Sequence, residues 1–299
     1  MVRRTPLMTS RGFDEAAGVR TVFKCENLQR GGAFKIRGAS NFLLSLAPEQ
    51  LRPGVVAYSS GNHAQAVAMA ARIVGTTATL VMPRDAPRSK VEATRDQGAT
   101  IVTYDRLRES REAISEGIAA ETGATLVPPY DHPWTIAGQG TAALELLEDA
   151  PELDALIAPV GGGGLLSGCA IAARSLKPDI RIFGAEPELA NDTYLSLAAG
   201  RRVEIPVPAT IADGLRATSP GQITFPILSR TVEAVLLVSE EEIKRAMRFL
   251  LARLKILVEP SGAVAAAALL HGKLPKNVRA AGVVLSGGNV DLDTLAGLL

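Results

Sequence analysis

Short β-rich runs alternate with longer Ala-rich helical stretches along nearly all of the 299 residues, and this alternation limits the possible folds more than any other feature. Val55–Tyr58 reads as a strand with the helix Ala64–Val74 behind it, and Thr77–Met82 followed by Arg88–Gln97 repeats the pair. Thr100–Thr103, Ser110–Thr122 and Ala124–Val127 continue as strand, helix and strand. Further on come a helix near Gly140–Glu148, a strand at Ala155–Pro159, a helix after Leu165 and a strand at Arg181–Ala185. Helices near Glu240–Lys255 and Gly262–His271 lead to a last strand at Ala281–Leu285. Strand and helix in turn make an α/β protein with mainly parallel central sheets. Pro128–Pro129, Pro133 and Pro206–Pro208 mark the expected hinges. No long segment follows the last strand, so a separate regulatory domain is not expected.

Composition narrows the partners. A net charge of +1 offers no field for nucleic acid or an anionic membrane, and 4% aromatic residues are too few for a base-stacking platform. Cys25 and Cys169 stand far apart without metal-site spacing, which suits buried thiols in a reducing compartment. The longest apolar run, Ala263 to Leu270, is too short to span a bilayer, and no apolar stretch follows Arg3 and Arg4 as a signal peptide would require. A cytoplasmic metabolic enzyme or small-molecule binder is the expectation.

In open α/β sheets ligands collect where strands run out into helices. Four segments occupy such places. Gly161-Gly162-Gly163-Gly164 follows a strand and precedes a helix, and bare amides at a helix N-terminus make a phosphate cradle. Neither GxGxxG nor GxxxxGK[ST] phasing fits, because Leu166 and Ser167 stand where glycine would be needed. Gly31-Gly32-Ala33-Phe34-Lys35 sets a lysine beside an aromatic ring, and burial there would lower its pKa and free its amine, although on these residues alone a solvated surface lysine is the better reading. Ser59-Ser60-Gly61-Asn62-His63 gathers hydroxyls, an amide and helix-start N–H groups able to hold a carboxylate, although a simple helix cap would use the same serines. His63 alone reads as a packed histidine. Ser286-Gly287-Gly288-Asn289 places a hydroxyl at the end of the last strand, where a heterocycle or an ordinary turn would fit.

In this order the segments resemble the fold-type II pyridoxal-phosphate enzymes, a tryptophan synthase beta-like fold. The closest likeness is to the threonine/serine dehydratase, serine racemase and threo-3-hydroxyaspartate ammonia-lyase group. It runs from Arg4-Thr5-Pro6-Leu7 through Ile136-Ala137-Gly138-Gln139-Gly140 and Ile211-Ala212-Asp213-Gly214 to Ser286-Gly287-Gly288-Asn289-Val290-Asp291. The resemblance implies pyridoxal 5'-phosphate bound to Lys35 as a Schiff base, with Lys35, once freed by substrate, removing the α-proton. It implies Phe34 near the ring, Asn62 on the 3′-oxygen, Gly161, Gly162, Gly163 and Gly164 on the phosphate, and Ser286 facing the pyridine nitrogen. A neutral serine there does not enforce a pyridinium, which favours prompt loss of the β-hydroxyl over transamination. Ser59, Ser60, Asn62 and His63 would hold the substrate carboxylate. Glu186, the Ala190 carbonyl and Asp192 match the residues that hold Mg²⁺, Mn²⁺ or Ca²⁺ in the racemase and hydroxyaspartate branch, and oxygen ligands suit hard cations.

The implied architecture is a large cofactor-binding domain from residues 1–53 and 132–299 with a small mobile domain at 54–131, assembled as a homodimer. The implied reaction is α,β-elimination from L-threonine or L-serine, giving a 2-keto acid and ammonia. Ser60 stands where serine racemases and hydroxyaspartate lyases carry serine, and a hydroxyl across the ring from Lys35 would supply the second face that racemisation needs. Threo-3-hydroxyaspartate ammonia-lyase with serine racemase activity is therefore the alternative, and its extra carboxylate calls for an arginine. Two departures stand out: Ala33 where the family has serine, and a chain beginning close to Thr5-Pro6-Leu7. A non-catalytic phosphometabolite binder is the rival from another class. A serine hydrolase fares worse, since no GxSxG elbow is present.

Overall fold

A computed structural model describes residues 1–59, 61–86, 88–105 and 107–298, leaving aside the side chains of residues 88–90. Ten strands form two sheets. The larger takes β1 (Leu7–Thr9), β2 (Arg20–Cys25), β7 (Ala155–Pro159), β8 (Arg181–Pro187), β9 (Ala234–Val238) and β10 (Ala280–Leu285), in the order β1-β2-β10-β7-β8-β9. Only β1 is antiparallel to its neighbour. The smaller is parallel throughout, ordered β5-β4-β3-β6 from β3 (Val55–Tyr58), β4 (Ala78–Pro83), β5 (Thr100–Tyr104) and β6 (Thr125–Leu126). Every residue of β7 and β10 is buried, as expected for parallel strands covered on both faces. The helix Pro260–Leu270 is apolar almost all round and buried through Leu269. Among the described residues no helix is long and apolar enough to cross a membrane.

The α/β reading therefore holds, with local corrections. The helix expected near Gly140 begins at Pro133, with the proline in the first turn and His132 Nδ1 accepting from the Trp134 amide at 3.2 Å. Pro133 starts the helix there, because the first turn needs no proline N–H. The expected helix Glu240–Lys255 is α-helical only to Phe249; a π-helical turn spans Leu250–Leu254 and ends at Lys255 with φ of 62°. Helices Pro133–Asp149 and Gly164–Leu176 approach through Gly140 and Gly168, where a Cβ on Gly168 would overlap the Ile136 carbonyl.

Strand order sets up the site. β10 lies between β2 and β7, with Leu285 level with Cys25 and Val283 level with Ile157. The chain leaving β2 toward Lys35, β7 toward Gly161 and β10 toward Ser286 thus emerges at one edge.

Candidate active site

These three exits and the loop after β3 enclose a cavity of about 460 Å³. Phe34, Lys35, Ser59, Asn62, His63, Gly161, Gly162, Gly163, Gly164 and Ser286 all line it. Ser60 lies outside the described residues. The first and last segments are stapled together: the Phe34 amide donates to the Ser286 carbonyl at 3.0 Å, and Ala33 bridges Gly287.

Lys35 opens the helix Lys35–Leu44, with its Nζ 5.3 Å from the Phe34 ring centroid. The ammonium donates to the Pro129 carbonyl at 2.7 Å. Desolvation lowers its pKa to about 8, so roughly a fifth of the amine is neutral near physiological pH.

The glycine run forms a bare wall. Gly163 adopts φ of 91°, which favours glycine, and a Cβ on Gly162 would overlap the Tyr130 ring. The Gly162 carbonyl is tied back by the Thr224 hydroxyl at 2.7 Å and the Gly221 amide at 3.2 Å. Among the described residues, no backbone bond uses the amides of Gly161, Gly162 or Gly163. Three donors at the start of the helix Gly164–Leu176 are thus available to an anion.

At the end of β3 the Ser59 hydroxyl accepts from the Gly61 amide at 3.1 Å and shapes the turn into the helix Asn62–Val74. The His63 Nε2 sits 3.1 Å from the Val127 carbonyl, and its pKa is driven to about 3 by burial and then by Lys35. The ring is a neutral, packed histidine. Because Nε2 must carry the proton toward a carbonyl, Nδ1 is an acceptor. His63 can therefore offer a carboxylate its backbone N–H and not its ring.

Glu186, near the end of β8, accepts from the Thr193 and Tyr194 amides at 3.1 and 2.9 Å. Both carboxylate oxygens of Asp192 are buried without a hydrogen-bond partner among the described residues. Burial, reinforced by Asp192, pushes Glu186 up to about 8, and burial raises Asp192 to about 7. Ala190 is buried in the same turn. Among the described residues no cluster of three or more His, Cys, Asp or Glu occurs, so any ion here would be held by two carboxylates and backbone oxygen.

Residues 1–287 match the family model for pyridoxal-phosphate dependent enzymes. The chain belongs to that family. It is 50% identical to an L-threo-3-hydroxyaspartate ammonia-lyase from Pseudomonas sp, over 99% of this chain and 93% of that one. It is 46% identical to an L-threonine ammonia-lyase from Geobacter sulfurreducens, covering 99% of this chain and 73% of that relative. The solved structure of maize serine racemase superposes with a TM-score of 0.96 at 48% identity, covering 99% and 91% of the two chains.

The site fits the family's cofactor on its own chemistry. Unused amides without Cβ atoms suit its phosphate, the low-pKa amine of Lys35 suits its aldehyde, and the Asn62 amide and Ser286 hydroxyl suit its ring oxygen and nitrogen. The orphaned oxygens of Asp192 beside Glu186 likewise suit a divalent cation. Sequence reasoning did not single out Tyr130, Arg111 and Glu259, which also line the cavity. Tyr130 directly follows Pro128–Pro129, which read as a hinge, and an acid directly before Pro260 at a helix start is the signal for Glu259. Nothing in the sequence points from Arg111 to this cavity.

Proposed function

We propose that the chain is a pyridoxal-phosphate dependent ammonia-lyase, converting L-threonine or L-serine to a 2-keto acid and ammonia by α,β-elimination. The observation that carries this reading is Lys35: a half-buried, desolvated amine near pKa 8 shares its cavity with an unused amide cradle. A phosphometabolite binder gives that amine no task. When bound, the cofactor supplies an electron sink for negative charge at Cα. The chain's own residues do the rest. Lys35 carries the cofactor and takes the α-proton, which its neutral fraction near pH 8 equips it to do. Gly161–Gly164 hold the phosphate, Phe34 packs near the ring, Asn62 donates to the 3′-oxygen, and the neutral Ser286 meets the nitrogen. The Ser59 and Ser60 hydroxyls and the backbone N–H groups of Asn62 and His63 hold the substrate carboxylate. Residues 54–131 form the small domain, closing on 1–53 and 132–299 to exclude water. Glu186, the Ala190 carbonyl and Asp192 hold Mg²⁺, Mn²⁺ or Ca²⁺. The enzyme works as a cytoplasmic homodimer.

A specific residue favours a second reading, elimination from threo-3-hydroxyaspartate with serine racemase activity through Ser60. Arg111 lines the cavity, its guanidinium 5.1 Å over the Tyr58 ring and its Nε donating to Glu112 at 2.8 Å. Among the described residues no hydrogen bond uses its Nη atoms, which form a fork able to take a second carboxylate. Arg111→Leu should then cut kcat/KM for L-threo-3-hydroxyaspartate about thirtyfold, from the loss of a charged hydrogen bond, while L-serine turnover changes less than about threefold. Equal effects on both substrates, or none, would reject this role and leave the threonine/serine reading.

A further inference from the structure

Asn62 is gripped from two sides. Its Nδ2 donates to Glu259 Oε1 at 2.6 Å, and its Oδ1 accepts from Asn289 Nδ2 at 2.9 Å. Asn289 Nδ2 also donates to the Gly31 carbonyl at 2.7 Å. Carboxylates and carbonyls only accept, so the direction of every bond is fixed by chemistry. Turning the Asn62 amide over would set its oxygen against the Glu259 carboxylate and its nitrogen against the Asn289 amide N–H₂, which removes two hydrogen bonds and adds two repulsions.

The three side chains come from different parts of the fold. Asn62 opens the helix behind β3 of the smaller sheet. Glu259 immediately precedes the helix Pro260–Leu270, and Asn289 follows β10 of the larger sheet. Space is reserved for both partners of Asn62. A Cβ on Gly287 would overlap Glu259 Oε1, and one on Gly32, at φ +68°, would overlap Asn289 Oδ1. Glu259 is 2% exposed, and its amide donates to the Gly287 carbonyl at 3.0 Å, so its backbone is anchored as well.

We infer that Glu259 and Asn289 are positioning residues that lock the Asn62 amide with a donor available to the cavity. One Nδ2 hydrogen is committed to Glu259 and the carbonyl is engaged by Asn289, so the second Nδ2 hydrogen is what Asn62 offers a ligand. That group suits an acceptor such as a phenolic oxygen. The inference rests on the reading that Asn62 faces the 3′-oxygen of the cofactor.

The test is a double-mutant cycle on the holoenzyme, read as the rate at which the visible band of bound cofactor is lost on dilution. Asn62→Ala and Glu259→Ala should each speed release about tenfold, the worth of one good hydrogen bond. The double variant should be no more than about twofold faster than either single one. Glu259→Gln keeps an acceptor and should hold release within about threefold of wild type. If the two alanine effects multiply to about a hundredfold, Glu259 acts independently of Asn62 and the inference is wrong. Should Glu259→Ala not fold, Asn289→Ala in the same cycle carries the same two outcomes. Asn62→Ala with unchanged release would reject the underlying reading that Asn62 faces the cofactor, a result distinct from failure of the cycle.

Discussion

At the scale of residues, function comes from polar groups placed where water is scarce. Lys35 shows this most plainly: lodged in the cavity wall beside Phe34, it loses hydration and its pKa falls from 10.5 to about 8. Only the neutral amine attacks an aldehyde, and the sign of the pH effect follows. In cofactor-depleted protein, the rate of visible-band recovery on adding pyridoxal phosphate should rise about tenfold per pH unit below 8 and level off above it. An amine at its ordinary value would keep accelerating toward pH 10.5. Beside Phe34 alone, Lys35 reads better as a solvated surface lysine, and only the resemblance to the family reverses that reading. The sequence did not reveal Glu259, whose burial beside Asn62 depends on partners distant in the chain. Asp192 marks the second polar site. Removing a buried pair of acids from each other's repulsion is what a bound cation does, so millimolar Mg²⁺, Mn²⁺ or Ca²⁺ should raise Tm by roughly 3–6 °C. Calorimetry on Asp192→Asn should show no such shift, and an unresponsive wild type would count against the metal site.

Secondary elements follow local pattern where apolar residues dominate and escape it where charge is buried. β7 and β10 were legible as continuous apolar runs. β2 was not, because Lys24 stands next to its end, fully buried, paired with Glu145 at 2.6 Å and bonded to the Thr5 carbonyl at 2.8 Å. The helix Lys35–Leu44 was hidden in the same way by Arg37. This buried guanidinium is held by Glu26 at 2.8 Å and by Glu145 at 2.7 Å. Such charges read as surface until their partners are known. Gly140 reads as a helix start but lies inside the helix, and with Gly168 it lets two helices touch backbone to backbone. Gly168→Ala should therefore destabilise the protein by about 3 kcal/mol or more, since the obstacle is main chain and cannot swing aside. Denaturant unfolding with a loss under about 1 kcal/mol would show the helices can part at little cost.

For the whole molecule, the site exists because strand order differs from chain order. β10 enters between β2 and β7, so residues around 35, 161 and 286 meet at one edge, and the smaller sheet brings Ser59, Asn62 and His63 to them. Alternation in the sequence announces two layers of α/β structure, but neighbour order within a sheet leaves no local trace. That the four segments share a cavity was legible only through resemblance to the family. The geometry gives it a physical basis in a bare amide cradle facing a desolvated amine.

The most direct test pairs a spectrum with an assay. Purified protein should be yellow and should release keto acid from at least one of L-threonine, L-serine and L-threo-3-hydroxyaspartate, while Lys35→Ala should lose both the visible band and at least about 10³-fold of the rate. A wild-type protein that stays colourless and inactive with added pyridoxal phosphate, or a Lys35→Ala variant that keeps its turnover, would contradict the account.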